Sequence, residues 1–230
     1  VNINGHILVY PIDNEGIKNF DIIEGEIKKL KFIKKSIPML EAQILALGDS
    51  QSSGGLLRGV PIERLSDIDI ISSNIIEGKL TKNNDGVIIG SRLASNLSLN
   101  TENNISIMSP RGISSPFGTI PRSYSYDIDA VFDIGMTDYD SSVIFMDLPI
   151  AQEFLNLGNV VGVIQIFVDN PEKSILYKGE LDKILEEFDV FSRDWSQTNA
   201  SLQEMLIVER NVMFLICLLY TSPSPRDSSK

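Results

Sequence analysis

Aspartates recur at a spacing of two: Asp67 and Asp69, Asp127 and Asp129, Asp138 and Asp140. Paired carboxylates can hold a divalent cation or share acid–base work. In Tyr126-Asp127-Ile128-Asp129-Ala130-Val131 the alternation instead puts both carboxylates on the solvated face of a strand. Asp138-Tyr139-Asp140 reads as turn chemistry between strands. No metal site and no cofactor is expected. The single histidine, His6, leaves no His-rich metal set and makes a Ser-His-Asp triad improbable, and the single cysteine, Cys217, permits no intrachain disulfide. Gly86 to Arg92 carries a glycine before a helix but lacks the Gly-Lys-Ser/Thr ending of an ATP-binding loop. Gly90 there reads as a tight strand-to-helix turn.

The stretch Pro110 to Pro121 has a different chemistry, with three prolines, two glycines and no acidic residue. Prolines fix φ and lower the entropy lost on binding. Phe117 lies between Pro116 and Gly118, so two placements fit: an aromatic anchor exposed on a tight turn, or a ring tucked back on the core. Arg111 and Arg122 give this stretch a positive balance that would suit an acidic partner rim.

The chain around it has 230 residues and a formal net charge of −11. That charge disfavours broad nucleic-acid binding. Lys28, Lys29, Lys31, Lys34 and Lys35 read as the solvated face of a helix. Residues 3–11 read as a strand ending at Pro11, 22–34 as a helix on Ile23, Ile27, Leu30 and Ile33, and 39–47 as a second strand. Residues 48–55 (GDSQSSGG) read as a loop. The far end mirrors this, with a strand at 160–168, a helix start capped by Asn170 with Pro171 at its first position, a helix over 174–188 and a strand over 189–195. The middle predicts a helix near 64–73, a strand at 87–89 and a helix over 91–99 capped by Ser91. Strands at 104–108, 123–132 and 143–146 and a helix over 149–156 follow.

The fold class is therefore α+β. Two βαβ units at opposite ends form one discontinuous subdomain (1–60 and 159–200), and 61–158 is an insertion with its own core. Residues 201–220 read as an amphipathic stalk on Leu202, Met205, Leu206 and Val208, running into the truncated start of a membrane helix, VMFLICLLY at 212–220. The tail 221–230 holds two prolines and many serines; YTSPSPRDS resembles translated adapter sequence and is set outside the fold. The chain starts inside a strand-like pattern, with neither the charged nor the apolar region of a signal peptide, and reads as a piece lacking its N-terminal part.

Taken in order, GLLRGV at 55–60, SNIIEGKL at 73–80, GVIIGSRLASNLSL at 86–99, SPRGISSPFGTIPRSYSYDIDAVFDIGMTDYD at 109–140 and VFSRDWSQTNASLQEMLIVERNVMFLI at 190–216 resemble the LolC/LolE family of lipoprotein-releasing permeases. NGHILVYP at 4–11 fits that family's segment after its first membrane helix. The resemblance implies a bacterial inner-membrane ABC transporter permease whose periplasmic domain has a porter-like part and an inserted β-rich sabre-like part. It implies a separate cytoplasmic ATPase (LolD-like), a second permease subunit, lipidated proteins as substrate and a periplasmic LolA-like chaperone as acceptor. A chaperone-recruiting hook would match Pro110, Arg111, Ser115, Pro116, Phe117, Gly118, Thr119, Ile120, Pro121 and Arg122. No catalytic residue is implied. Two other readings stand beside it: a MacB-like export permease, and an extracytoplasmic hydrolase using the aspartate pairs.

Overall fold

A computed structural model describes residues 4–13, 15–66, 68–80, 85–115 and 118–194, the side chains of Asp69 and of residues 111–120 excepted. The predicted stalk, membrane helix and tail lie outside the described residues.

The ends of the chain interleave. β1 (Ile7–Pro11), α1 (Phe20–Ile27) and β3 (Ile33–Leu47) form the first unit, with a two-residue strand β2 (Ile17–Lys18) between. β11 (Val163–Val168), α7 (Ser174–Leu185) and β12 (Val190–Asp194) form the second, preceded by β10 (Val160–Val161), which pairs with β2. The sheet order is β12-β1-β11-β3, every neighbour antiparallel. Each unit thus leaves a gap that a strand of the other fills, the split βαβ arrangement. Ile7, Val9, Ile164 and Ile166 on one face pack with Phe20, Ile23, Ile27, Leu181 and Leu185 of the two helices. At about 1.5–3 kcal/mol for each large side chain taken out of water, this seam is the main source of the region's cohesion. Phe32 stacks on Tyr177 at 4.2 Å to finish it.

The helix predicted over 22–34 ends earlier. Lys29 N–H and Leu30 N–H turn back to the carbonyls of Glu26 and Ile27, and Ile33 then opens β3 opposite Val168. Pro38, just outside the strand expected over 39–47, lies inside β3. β3 pairs with β4 (Ser52–Val60) only from Leu40 onward, so Pro38 sits where the strand has β11 as its ladder partner. Ser52 to Gly55, expected as loop, is also strand, and the turn shrinks to Gly48–Gln51. A Cβ on Gly55 would meet Ser142 O at 2.9 Å, so glycine there permits close approach of two backbones.

The middle of the chain closes on itself. β6 (Val87–Gly90), β7 (Asn104–Ser115), β8 (Gly118–Phe132) and β9 (Val143–Asp147) join β3 and β4. Pairing runs β3 to β4, β4 to β9, β9 to β6, β6 to β8, β8 to β7 and β7 back to β3. Closure removes the sheet edges that this region would otherwise expose. A short strand β5 (Ile75–Gly78) lies along β8 outside the ring. The expected helix near 64–73 is two single turns, α2 (Ile62–Leu65) and α3 (Asp69–Ser72). α4 (Ser91–Leu97), α5 (Thr137–Ser142) and α6 (Leu148–Phe154) complete the elements.

The insertion was expected to have its own core, but each apolar cluster draws on both regions. One joins Ile7 and Ile164 to Ile89, Ile105 and Ile144. The other joins Leu8, Ile37 and Val163 to Ile88, Phe132 and Phe145. The reason is β3: its first half pairs with β11 and its end with β7 of the insertion, so one strand carries the sheet across the join.

Candidate partner-binding hairpin

The Pro110–Pro121 stretch, expected as a loop, belongs to a long β-hairpin. β7 and β8 pair from Asn104↔Asp127 to Ser109↔Arg122, then again from Ile113↔Ile120 to Ser115↔Gly118. Between the two ladders β7 spends residues 110–112 where β8 spends only Pro121. This bulge absorbs Pro110, which has no N–H to give a ladder, and re-aims the strands beyond it. Pro110 and Pro121 are both exposed. The backbone of Arg111, Ser115, Gly118, Thr119 and Ile120 lies in the distal ladder and its approach; their side chains, and all of Pro116 and Phe117, lie outside the described residues. The two placements of the Phe117 ring lie there with them.

The hairpin root is joined to three other strands. β7 pairs with β3 through Leu45↔Met108 to Leu47↔Ser106, and β8 lies between β6 and β5 at Ala130 to Phe132. Ile105, Ile107, Ala130 and Phe132 are fully buried, and Phe132 meets Phe145 edge-to-face at 5.7 Å. Past Ser109↔Arg122 the described strands pair with each other alone.

Arg122, grouped by the sequence with the hook-like stretch, is half-buried. Its Nη1 donates to the carbonyl of Glu153 at 3.1 Å and its Nη2 to Asn156 Oδ1 at 3.4 Å, both at the C-terminal end of α6. Tyr124 and Tyr126 follow on the same face of β8 and meet Phe154 edge-to-face at 6.0 and 6.2 Å. Burial, then Tyr124 and Glu153, push the Tyr126 hydroxyl up to about 12. Sequence reasoning grouped Arg122 with the loop and passed over Glu153 and Asn156. The signal available was Asn156-Leu157-Gly158, a composition suited to ending a helix. A cleft of about 270 Å3, lined by Glu41, Gln43, Leu56, Ser109 and Pro110, lies at the same root.

Of the aspartate pairs, only Asp138 and Asp140 depart from the strand-and-turn reading among the described residues. Asp127 is exposed and Asp129 half-buried beside buried Ile128, as alternation on β8 predicts. Asp138 and Asp140 lie in α5, not in a turn between strands. Asp140 is buried, and its Oδ1 accepts the Ile134 N–H at 3.0 Å. Asp67 and the Asp69 side chain lie outside the described residues. Among the described residues no group of three or more His, Cys, Asp or Glu is placed to hold a metal ion. Ser91, expected to cap α4, instead gives its hydroxyl to Asp133 Oδ2 at 2.9 Å, and Gly90 occupies the cap position in extended conformation. Gly90 is needed for room: a Cβ there would meet Asp140 O at 2.3 Å. Asn170 does cap as expected, accepting from the Glu172 N–H at 3.0 Å.

Arg58 of the GLLRGV stretch is buried, 2.8 Å from Glu41, with its guanidinium over the Tyr139 ring and its Nη2 on Asn4 Oδ1 at 3.3 Å. It ties β4, β3, α5 and the start of the chain together. A cleft of about 390 Å3 is lined by Tyr10, Leu40, Leu157, Val161, Phe191 and Arg193, with Arg193 lying over both aromatic rings.

A hairpin clamped at its root and self-paired beyond it suits contact with another molecule, and relatives bear on which. No protein-family model matches the chain. A lipoprotein-releasing system transmembrane protein LolC from Neisseria meningitidis serogroup B is 23% identical over 193 residues, 82% of this chain and 46% of that protein. The LolC of Xylella fastidiosa strain Temecula1 is 20% identical over 185 residues, 79% of this chain and 44% of that protein. The chain is similar in sequence to LolC. It spans less than half the length of those LolC proteins. Its fold is that of the periplasmic region of MacB from Actinobacillus actinomycetemcomitans, with a TM-score of 0.58 at 11% identity over 87% of this chain and 94% of that one. The extracellular domain of the ABC-type transporter YknZ from Gram-positive bacteria superposes with a TM-score of 0.56 at 14% identity, over 83% of this chain and all of that one. The resemblance read from the sequence and the α+β class both hold. Among the described residues no helix is long and apolar enough to cross a membrane.

Proposed function

We infer that this chain is the periplasmic portion of a bacterial inner-membrane ABC transporter permease that releases lipoproteins and passes them to a LolA-like chaperone. The chain acts as a scaffold with no catalytic residue, and ATP hydrolysis falls to a separate LolD-like subunit beside a second permease subunit. The segment 1–60 with 159–200 serves as the porter-like part and 61–158 as the sabre-like insertion. Residues 201–220 form the stalk and the start of a membrane helix.

The observation that carries this reading is the match to LolC across four-fifths of the chain, joined to a hairpin whose distal ladder pairs with no other described strand. A self-paired arm can enter a partner's groove without disturbing the body that bears it. Phe117 at its end supplies the apolar anchor and Arg111 a positive rim.

The test is capture of a purified LolA-type chaperone by the full-length permease. Phe117→Ala, and separately Pro116→Ala, should weaken capture by about tenfold or more while thermal unfolding stays put. Capture equal to that of the unaltered protein would remove the reading. The likeness to MacB supports a second one, an export permease that works with a periplasmic adaptor. In that case the full-length protein copurifies with an adaptor and ignores the chaperone.

A further inference from the structure

Arg122 lies where the hairpin changes character. It is the last β8 residue of the root ladder, opposite Ser109, and the bulge begins at the next residue of each strand. From this point its fork reaches across to α6. That helix ends with Asn156 in left-handed conformation (φ 55°), Asn156 N–H on Glu153 O at 3.0 Å and Leu157 N–H on Gln152 O at 2.8 Å. The Glu153 carbonyl, having taken the Asn156 N–H, keeps a second lone pair, and a guanidinium N–H fills it. Arg122 takes Glu153 O and Asn156 Oδ1 together, a two-point hold that fixes direction as well as distance. α6 is itself anchored: Asp147 accepts the Leu148 N–H at its start at 2.9 Å, Ala151 and Phe154 are buried, and Gln152 Nε2 donates to Val160 O at 2.9 Å.

We propose that Arg122 is a positioning residue, a latch that sets the stance of the distal hairpin against the C-terminal end of α6, and not part of the surface that touches the partner. The inference rests on the reading of the hairpin as the capturing arm. Without the latch the bulge would act as a hinge. Tyr124 and Tyr126 would still lie on Phe154, so the root would keep its place while the distal ladder swept a wider range. A partner would then meet the arm in many orientations, and capture would weaken with no contact removed.

The experiment uses the full-length permease with Cys217 and any other cysteine replaced by Ser: spin labels at Ser114→Cys and Lys183→Cys read the distance, and the unlabelled protein with a purified LolA-type chaperone as probe reads capture. Arg122→Ala should broaden the inter-label distance distribution and weaken chaperone capture about tenfold. Arg122→Lys, which keeps the charge but not the two-point geometry, should fall between. Asn156→Gly keeps the left-handed backbone, removes one acceptor and leaves every charge in place; it should broaden the distribution in part. An unchanged distribution in Arg122→Ala overturns the proposal, and weakened capture beside it would return Arg122 to the contact surface. If the unaltered permease captures no chaperone, the hand-over reading falls, and the label distances still decide the latch.

Discussion

Near Phe132 the β7–β8 hairpin is part of a closed ring; near Ser115 it pairs with itself. At the root, β8 has β6 and β5 as neighbours and carries fully buried Ala130 and Phe132. Beyond Ser109↔Arg122 the described strands have only each other, over about 10 Å of distal ladder. The first arrangement makes stability and the second makes reach. Because they meet at a bulge, sequence changes in the arm need not be felt in the ring. A chain built this way can alter what it binds without redesigning its core.

The comparison is broken most sharply by cutting into the ring. Phe132→Ala should cost about 3–5 kcal/mol, the usual range for emptying a buried aromatic site. Pro121→Ala, at an exposed position past the latch, should move stability by less than about 1 kcal/mol. Chemical denaturation of the two variants measures the difference; equal losses would mean that arm and ring are one cooperative unit. Gly90→Ala comes next in size. The added methyl would press on the Asp140 carbonyl, and backbone cannot yield as a side-chain end can, so about 1–3 kcal/mol should be lost with little change in the arm.

The smallest effect is one of pH at the boundary itself. Tyr126 ionises at about 12 in the folded protein against 10.0 for its reference value. A group whose folded value is raised contributes stability fully below the unfolded value and loses it as pH rises through the folded one. Stability should therefore fall between about pH 10 and 12, and Tyr126→Phe should flatten that fall. Thermal melts across this window, of the two proteins side by side, read the effect.

Much of the terminal region could be read in the sequence because its signals are local. Asn170-Pro171 announces the start of the turn before α7, and the apolar run 160–168 gives β10 and β11. Local signals also misled. Ile33 continues a helical spacing from Ile23 and Ile27, yet it faces Val168 across a strand, since burial on β11 outweighs one more turn of helix. Pro110 and Pro121 have the composition of a loop, but a bulge lets the ladder resume beyond them. The ring escaped sequence reading because its closure, β7 on β3, joins residues about sixty positions apart with no local mark. Arg122 escaped for the same reason. Its place in a positive loop suggested a partner, and the acceptors it chose lie on another element.

The most direct measurement is hydrogen–deuterium exchange on the full-length permease with and without a LolA-type chaperone. The distal hairpin, residues 113–120, should exchange readily alone and gain protection on chaperone addition, while α1 and α7 stay unchanged. Protection gained at α1 and α7, or at the cleft around Tyr10 and Phe191, with none at 113–120, would contradict the assignment of the arm as the capturing element.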